Sequence, residues 1–328
     1  MGDWQQAVFP DRLVPLEEAT RRRRNDPSHR GVRHVDFPLH RCVGTVYVRD
    51  RRPATGAWEA PFDPTLWEEL GPAQGRVAVP DGKELGLKVD YETSEDLAAV
   101  ASLDPEALQS ISLARTRVTD ESLSVLAGRS LLDVNLAGTE IGDGGMAYLE
   151  GMGSLQTLDL WGTMVSNHGL GSLAGLASLR TIDLWGTLVS DCGLCHLEDL
   201  PSLSRLYVPG PRITPEGLAH IGRCRALRAL DLSGARVGDE GILLLRDLRS
   251  LEVLYLWDTD VTDDGLAHLS LLPALTEVDL GRNPITDEGL HHLAAIPTLE
   301  RVHLWDTAVT RAGLDRFRRA MPDLYTYM

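Results

Sequence analysis

The stretch Leu155–Leu179, LQTLDLWGTMVSNHGLGSLAGLASL, sets the architecture because the chain goes on to repeat it. Leu155, Leu179, Leu203, Leu227, Leu251, Leu275 and Leu299 stand 24 residues apart without a slip. Each unit reads leucine, two variable residues, an aliphatic, one variable residue and a second aliphatic. Gly-Thr or Asp-Thr follows, then a β-branched residue, a Ser/Thr-Asp-like pair and Gly-Leu-x-x-Leu. A fixed period of this length is the mark of a solenoid, in which no unit buries its leucines alone and neighbours must stack.

Within a unit the hydrophobic period changes once. Leu158 and Leu160 are two apart, so on a strand they share one face while Thr157, Asp159 and Trp161 share the other. Leu170, Leu173 and Leu176 are three apart, the inward stripe of a short helix. The helix is expected to start at Ser166 and, in the other units, at Thr119, Gly142, Ser190, Thr214, Gly238, Thr262, Thr286 and Thr310, all favoured N-cap types. A further column, Thr116, Thr139, Thr163, Thr187, Thr259, Asn283 and Thr307, follows the strand. Its hydroxyls and amide are expected to bridge the backbones of adjacent turns. Pro211 and Ala235 interrupt it.

These residues, with Val-Thr-Asp at Val118–Asp120 and Val261–Asp263 and Ile-Thr-Asp at Ile285–Asp287, make the chain resemble a bacterial leucine-rich-repeat protein. Its units are similar to those of the ribonuclease-inhibitor and cysteine-containing subfamilies. The expected fold is α/β: a right-handed leucine-rich-repeat solenoid with a parallel concave sheet, short convex helices and a β-rich N-terminal cap. The resemblance covers roughly residues 95–328 and implies adaptor or regulatory work, though the family is defined by its scaffold and not by one chemistry.

Three segments are expected: a mobile basic arm (1–35), the cap (36–94), and about nine repeats with a C-terminal cap (95–328). The arm carries Arg21–Arg24, which suits either a solvated run, an acidic partner, or self-docking on the protein's own acidic face. In the cap, CVGTVYVRD reads as a strand, and RVAVPDGKELGLKV as a hairpin turning at Pro80–Gly82, with Trp58, Phe62 and Trp67 as its core. Leu314 and Phe317 carry the last helix, and Leu324, Tyr325 and Tyr327 an edge strand.

The formal charge of −16 is uneven, since residues 1–60 hold eleven arginines against eight acidic residues. An acidic solenoid argues against nucleic acid and anionic membranes and favours basic partners. MGDWQQAVFPD lacks the apolar core of a signal peptide, Gln6 breaks a myristoylation pattern, and no run approaches the ~20 apolar residues of a membrane span. Four cysteines (Cys42, Cys192, Cys195, Cys224) without a disulfide spacing suit a reducing cytoplasm.

Function is sought on the concave positions. The middle column contains Asp159, Asp183, Tyr207, Asp231, Tyr255, Asp279 and His303, and the next contains Trp161, Trp185, Trp257 and Trp305, four of the seven tryptophans. Such a strip suits a protein or peptide with basic and apolar parts: indoles supply contact area and carboxylates select Arg or Lys. The fifth repeat, YVPGPRITPEG, interrupts the Trp column with prolines and is expected to bend the array. A carbohydrate is an alternative ligand, because indole faces and carboxylate acceptors also suit sugars. An enzymatic alternative rests on His303 oriented by Asp279, with Tyr255 beyond, but no nucleophile or ligand set completes it. A metal alternative rests on Cys192, Cys195 and His196, whose residue types suit zinc although neighbouring helices are too far apart for ligands to converge. No cofactor is expected.

Overall fold

The structure is a computed structural model and describes residues 31–50, 67–93 and 97–328. Arg21–Arg24, Trp58 and Phe62 lie outside these residues. The alternation in the first described segment forms β1 (Val32–Asp36) and β2 (Gly44–Asp50). They are followed by β3 (Glu68–Pro72), β4 (Arg76–Pro80) and β5 (Lys83–Val89). Each later unit then contributes one three-residue strand, β6 (Ser110–Ser112), β7 (Asp133–Asn135), β8 (Thr157–Asp159), β9 (Thr181–Asp183) and β10 (Arg205–Tyr207). The series continues as β11 (Ala229–Asp231), β12 (Val253–Tyr255), β13 (Glu277–Asp279), β14 (Arg301–His303) and β15 (Tyr325–Tyr327). From β5 to β15 every neighbouring pair is parallel and in register, with Leu87 beside Ile111, Ile111 beside Val134 and Val134 beside Leu158. Short helices such as Asn167–Leu170, Pro215–Ile221 and Asp263–Leu269 pack coil on coil along the other side.

The core runs between these two layers. Leu155, Leu158, Leu160, Val165, Leu170, Leu173 and Leu176, one full coil, are all completely buried. Each such leucine contributes about 1.5–3 kcal/mol of burial. The last coil ends on Phe317 and Leu324, and on Thr326, whose hydroxyl accepts from Arg318 Nε at 2.7 Å. Among the described residues no helix is long and apolar enough to cross a membrane.

Several expectations change. Val32–Asp36, counted with the arm, is a strand paired antiparallel with β4. β4 and β5 do flank the Asp81–Gly82 turn but form no hairpin: β5 pairs with β2 and β6, while β4 stays with β1. The prolines of the fifth repeat leave the sheet intact, since Leu206 keeps register with both Ile182 and Leu230. The threonine column also works differently. Thr116, Thr139, Thr163, Thr187, Thr259 and Thr307 each donate to a leucine carbonyl three residues earlier, inside their own coil. Only Asn283 bridges coils, because its amide is long enough to donate to Leu256 O at 2.6 Å while accepting from Thr259 N and Val261 N.

The bonds that do tie coil to coil come from the residue after each expected N-cap. The carboxylates of Asp143, Asp191, Asp239, Asp263 and Asp287 each accept from the backbone N–H of the Ser or Thr in the next coil. Their second oxygen takes that residue's hydroxyl at 2.5–2.7 Å. The Thr310 contacts hold the Asp287 carboxyl below the usual range. Ser166, Thr262 and Thr310 cap their helices while making this bond, whereas the Thr214 hydroxyl, which also donates to Glu216, does not cap its own, where proline holds the first helical position. Ser190 also fails to cap its helix and is bonded instead to Asn167 of the preceding coil. Thr119, Gly238 and Thr286 do not occupy the cap position at all.

This ladder explains the glycine of Gly-Leu-x-x-Leu. A Cβ on Gly169 would lie 2.5 Å from Asp143 Oδ1, one on Gly193 2.6 Å from Asn167 Oδ1, and one on Gly265 would strike Asp239 Oδ1. Helix propensity alone says Gly265→Ala stabilises by about 0.5–1 kcal/mol. The packing reverses the sign, and we expect a loss of about 1–3 kcal/mol in urea unfolding, as for an overpacked core. A gain would show that the ladder yields without penalty.

Candidate functional site

The strand period turns every second side chain away from the leucine core, so the residues between core positions line the open face of the sheet. Trp161 and Trp185 belong to adjacent coils, and their ring centroids are 5.7 Å apart with planes inclined by 38°. Trp185 is 36% exposed and Trp305 49%, while Trp161 and Trp257 are half-buried. Trp257 is covered because the next coil has glycine in the same column: its indole occupies space that a Cβ on Gly281 would need, at 2.7 Å. Two indoles already receive a guanidinium of the same chain, Arg115 lying 5.8 Å from the Trp161 centroid and Arg282 4.9 Å from that of Trp257.

The aspartates of the middle column have a local structural task. Oδ1 of Asp159, Asp183, Asp231 and Asp279 each accepts the backbone N–H two residues on, at 2.8–3.0 Å, fixing the end of the strand. Asn135 does the same in its coil at 2.9 Å. Burial pushes the carboxyls of Asp159, Asp231 and Asp279 up from their ordinary value. Asp183 is pushed up to about 8, by burial and then by the negative charges of Asp159 and Asp231. The strip is therefore less negative at neutral pH than its formal charge implies, and it takes up protons where a cation is absent.

Stacking the coils also hides three expected contact residues. Tyr207, Asp231 and His303 are 8%, 6% and 8% exposed, because side chains in one column stand a single coil spacing apart and cover one another. They support the face more than they present it. Tyr255, Asp279 and Asp159 are half-buried and reach it at their edges.

His303 stands beside Asp279 in register and acts on its carboxyl through space, but makes no hydrogen bond to it. Its ring stacks on Tyr327 at 4.5 Å, and Nε2 lies 3.7 Å from Oε1 of Glu277. Glu277, itself buried, accepts from Arg301 Nε at 2.6 Å and from the Tyr255 hydroxyl at 3.3 Å. The carboxylate is thus held by three neighbours, and the group acts as a polar clasp across β12, β13 and β14. On the helical side Cys192 and Cys195 are exposed, and the Cys195 thiol donates to the Cys192 carbonyl. Among the described residues no three His, Cys, Asp or Glu side chains converge as metal ligands, so Cys192, Cys195 and His196 do not make a centre. Cys224 is buried, which pushes its thiol up to about 12 and leaves it inert.

The N-terminal end of the open face is closed by a cluster that the sequence did not reveal. Arg49 of β2 donates from Nε to Glu84 of β5 at 2.7 Å and from its terminal nitrogen to Asp133 of β7 at 2.6 Å. The Trp67 ring lies 4.2 Å over the guanidinium and rests on Gly86, where a Cβ would come within 2.8 Å of it. These residues are far apart in the chain and only the sheet brings them together. A lone arginine in the apolar strand VYVRD was the one available signal. The accessible strip begins beyond them, at Trp161.

Comparison with known proteins agrees with the architecture. A leucine-rich-repeat family model matches residues 129–149, 223–245 and 273–294. No curated protein matches the chain. Similar solved structures include internalin C2 of Listeria monocytogenes, with 27% identity, 66% of this chain and 84% of that one covered, and a TM-score of 0.49. A second internalin of the same organism shows 15% identity, with 70% and 75% covered and a TM-score of 0.49. Three matched coils within one parallel sheet, each backed by a short helix and sealed by its leucines, give this chain the leucine-rich-repeat fold.

Proposed function

We propose that this protein is a non-catalytic recognition scaffold that binds a partner protein or peptide through the Trp-bearing open face of its sheet, and that the partner presents arginine or lysine beside apolar groups. The observation that supports this reading is the pair Trp161–Trp185, two neighbouring indoles on the open face, the first half-buried and the second 36% exposed. The cationic preference is supported by Arg115, whose guanidinium lies over Trp161, and by Arg282 over Trp257 further along the same column. A cation arriving beside Asp183 favours its charged form. Binding should therefore release a proton and strengthen as pH rises from 6 to 8.

An arginine-rich dodecapeptide and its glutamine counterpart, titrated by calorimetry, test the reading. Trp161→Ala/Trp185→Ala is expected to weaken the arginine peptide about thirtyfold or more, as for a pair of hot-spot aromatics, while leaving the melting temperature nearly unchanged. Affinity should fall steeply with salt. A salt-insensitive affinity for sugars, or a loss of stability as large as the loss of binding, would replace the proposal by a carbohydrate or a purely structural role.

A further inference from the structure

Exposed apolar side chains are rare on this solenoid and are not spread evenly. In its central coils, Met164 (55% exposed), Trp185 (36%) and Leu188 (39%) fall in two adjacent repeats. Met164 and Leu188 do not lie on the open face. They follow the Gly-Thr turn, on the rim where each coil leaves the sheet, and are placed side by side by Met164 N–H to Ile141 O and Leu188 N–H to Val165 O, each 2.8 Å. The same rim position holds Glu140 in the coil before and Arg212 and Arg236 in the two coils after, all exposed. Arg212 reaches back to donate to the carbonyl of Thr187 at 3.3 Å, which sets its guanidinium beside Leu188. Arg236 continues the row through its N–H bond to Ile213 O at 2.9 Å. Neither arginine forms an ion pair with a described residue. From Glu140 to the exposed Asp260 of the following coil, the rim therefore reads acidic, apolar, apolar, basic, basic, acidic.

We infer that this rim is a second docking edge, and that its occupant is a peptide segment with two adjacent apolar side chains followed by acidic ones. The apolar pair covers Met164 and Leu188, and the acidic end meets Arg212 and Arg236. Two features argue for this occupant. Contiguous exposed apolar surface marks an interaction site, and two cations at one end of it fix both the charge and the direction of what lies across it. The glycines preceding the apolar pair, Gly162 and Gly186, are exposed and place no side chain at the turn beside the rim. This edge is opposite in charge preference to the open face and stands whether or not that face binds a cation.

The test uses the full chain labelled at its methionine methyl groups. One probe is a dodecapeptide with Leu-Phe followed by four glutamates, and the other is the same peptide with arginines in place of the glutamates. The acidic peptide is expected to move the Met164 methyl signal in a saturable titration, and the basic peptide to move that signal only at concentrations at least about tenfold higher, whatever it does at the open face. Arg212→Glu/Arg236→Glu should reverse that order. Met164→Ser/Leu188→Ser, at exposed positions that leave the core untouched, removes the reporter methyl and is therefore followed by calorimetry, where it should abolish binding of the acidic peptide while preserving the binding of the arginine-rich peptide to the open face. A Met164 signal unmoved at millimolar acidic peptide, or moved equally by the two probes at equal concentration, overturns the inference. Dimerisation in sedimentation equilibrium that Met164→Ser/Leu188→Ser removes would assign the rim to a second copy of the chain and overturn it as well.

Discussion

Arg49→Ala is expected to lower stability by about 3–5 kcal/mol, the loss typical of removing one partner from a buried ion pair. Arg49, Glu84 and Asp133 are 5%, 6% and 1% exposed, so deleting the guanidinium leaves two carboxylates buried without their shared cation. Arg49→Lys should rescue little, because one ammonium cannot reproduce a fork that spans from β5 to β7. Because each coil touches only its neighbours, the damage should begin at the N-terminal end. Hydrogen exchange should therefore accelerate in β2 and β5–β7 before it does in β12–β14. The variant should regain part of its stability on acidification, when the carboxylates can be neutralised by protons. A urea-derived loss below about 1 kcal/mol, or uniform exchange along the solenoid, would mean that the cluster is not a structural tie.

Asp183→Asn should act in the opposite direction. Asp183 keeps its proton up to about pH 8 in the folded protein, against about 3.9 in an unfolded chain, because burial and the charges of Asp159 and Asp231 disfavour its ionised form. The folded state thus binds more protons than the unfolded one between those values. Its stability advantage is complete below pH 4 and is lost progressively as pH rises to 8. Asparagine escapes this loss. It also keeps the strand-end hydrogen bond, as Asn135 shows in an earlier coil. The variant should match the wild type near pH 3.5 and exceed it by about 1–3 kcal/mol at pH 8–9, a span reduced from the full linkage because the group is partly solvated. Urea midpoints at pH 4, 6 and 8 measure this. A difference that stays constant across the range would show that Asp183 ionises normally.

The two variants also separate scaffold from site. Arg49 closes the end of the open face, so its loss should leave binding at Trp161 and Trp185 intact wherever those coils remain folded. Asp183→Asn, stabilising as it is, should weaken an arginine-rich peptide, because the carboxyl can no longer ionise in response.

Much of the architecture was legible in the order of the residues. The 24-residue leucine period, the change from a spacing of two to a spacing of three, and Gly-Leu-x-x-Leu specify strand, turn and helix in every coil, since each is a local consequence of side-chain direction. The same alternation put Trp161, Trp185, Trp257 and Trp305 on one column of the open face. What reached beyond a single coil was harder to read. Thr163 and its equivalents look suited to bridging coils, yet their hydroxyls turn to their own leucine carbonyls, and the bridging falls to Asp143 and its equivalents instead.

Sequence by itself determined the solenoid, the identity of its buried leucines and the face on which function is sought, because periodic burial needs no knowledge of which coil lies beside which. Only the tertiary structure decided that Arg49 reaches Asp133, that His303 stacks on Tyr327 beside Glu277, and that burial pushes the Asp183 carboxyl up. It alone decided, too, that Met164 and Leu188 lie against Arg212 on an open rim. Each of these depends on distances of a few ångströms between side chains of different coils. A one-dimensional period fixes the position of a residue along the array, and the length and direction of its side chain then select the neighbour it meets.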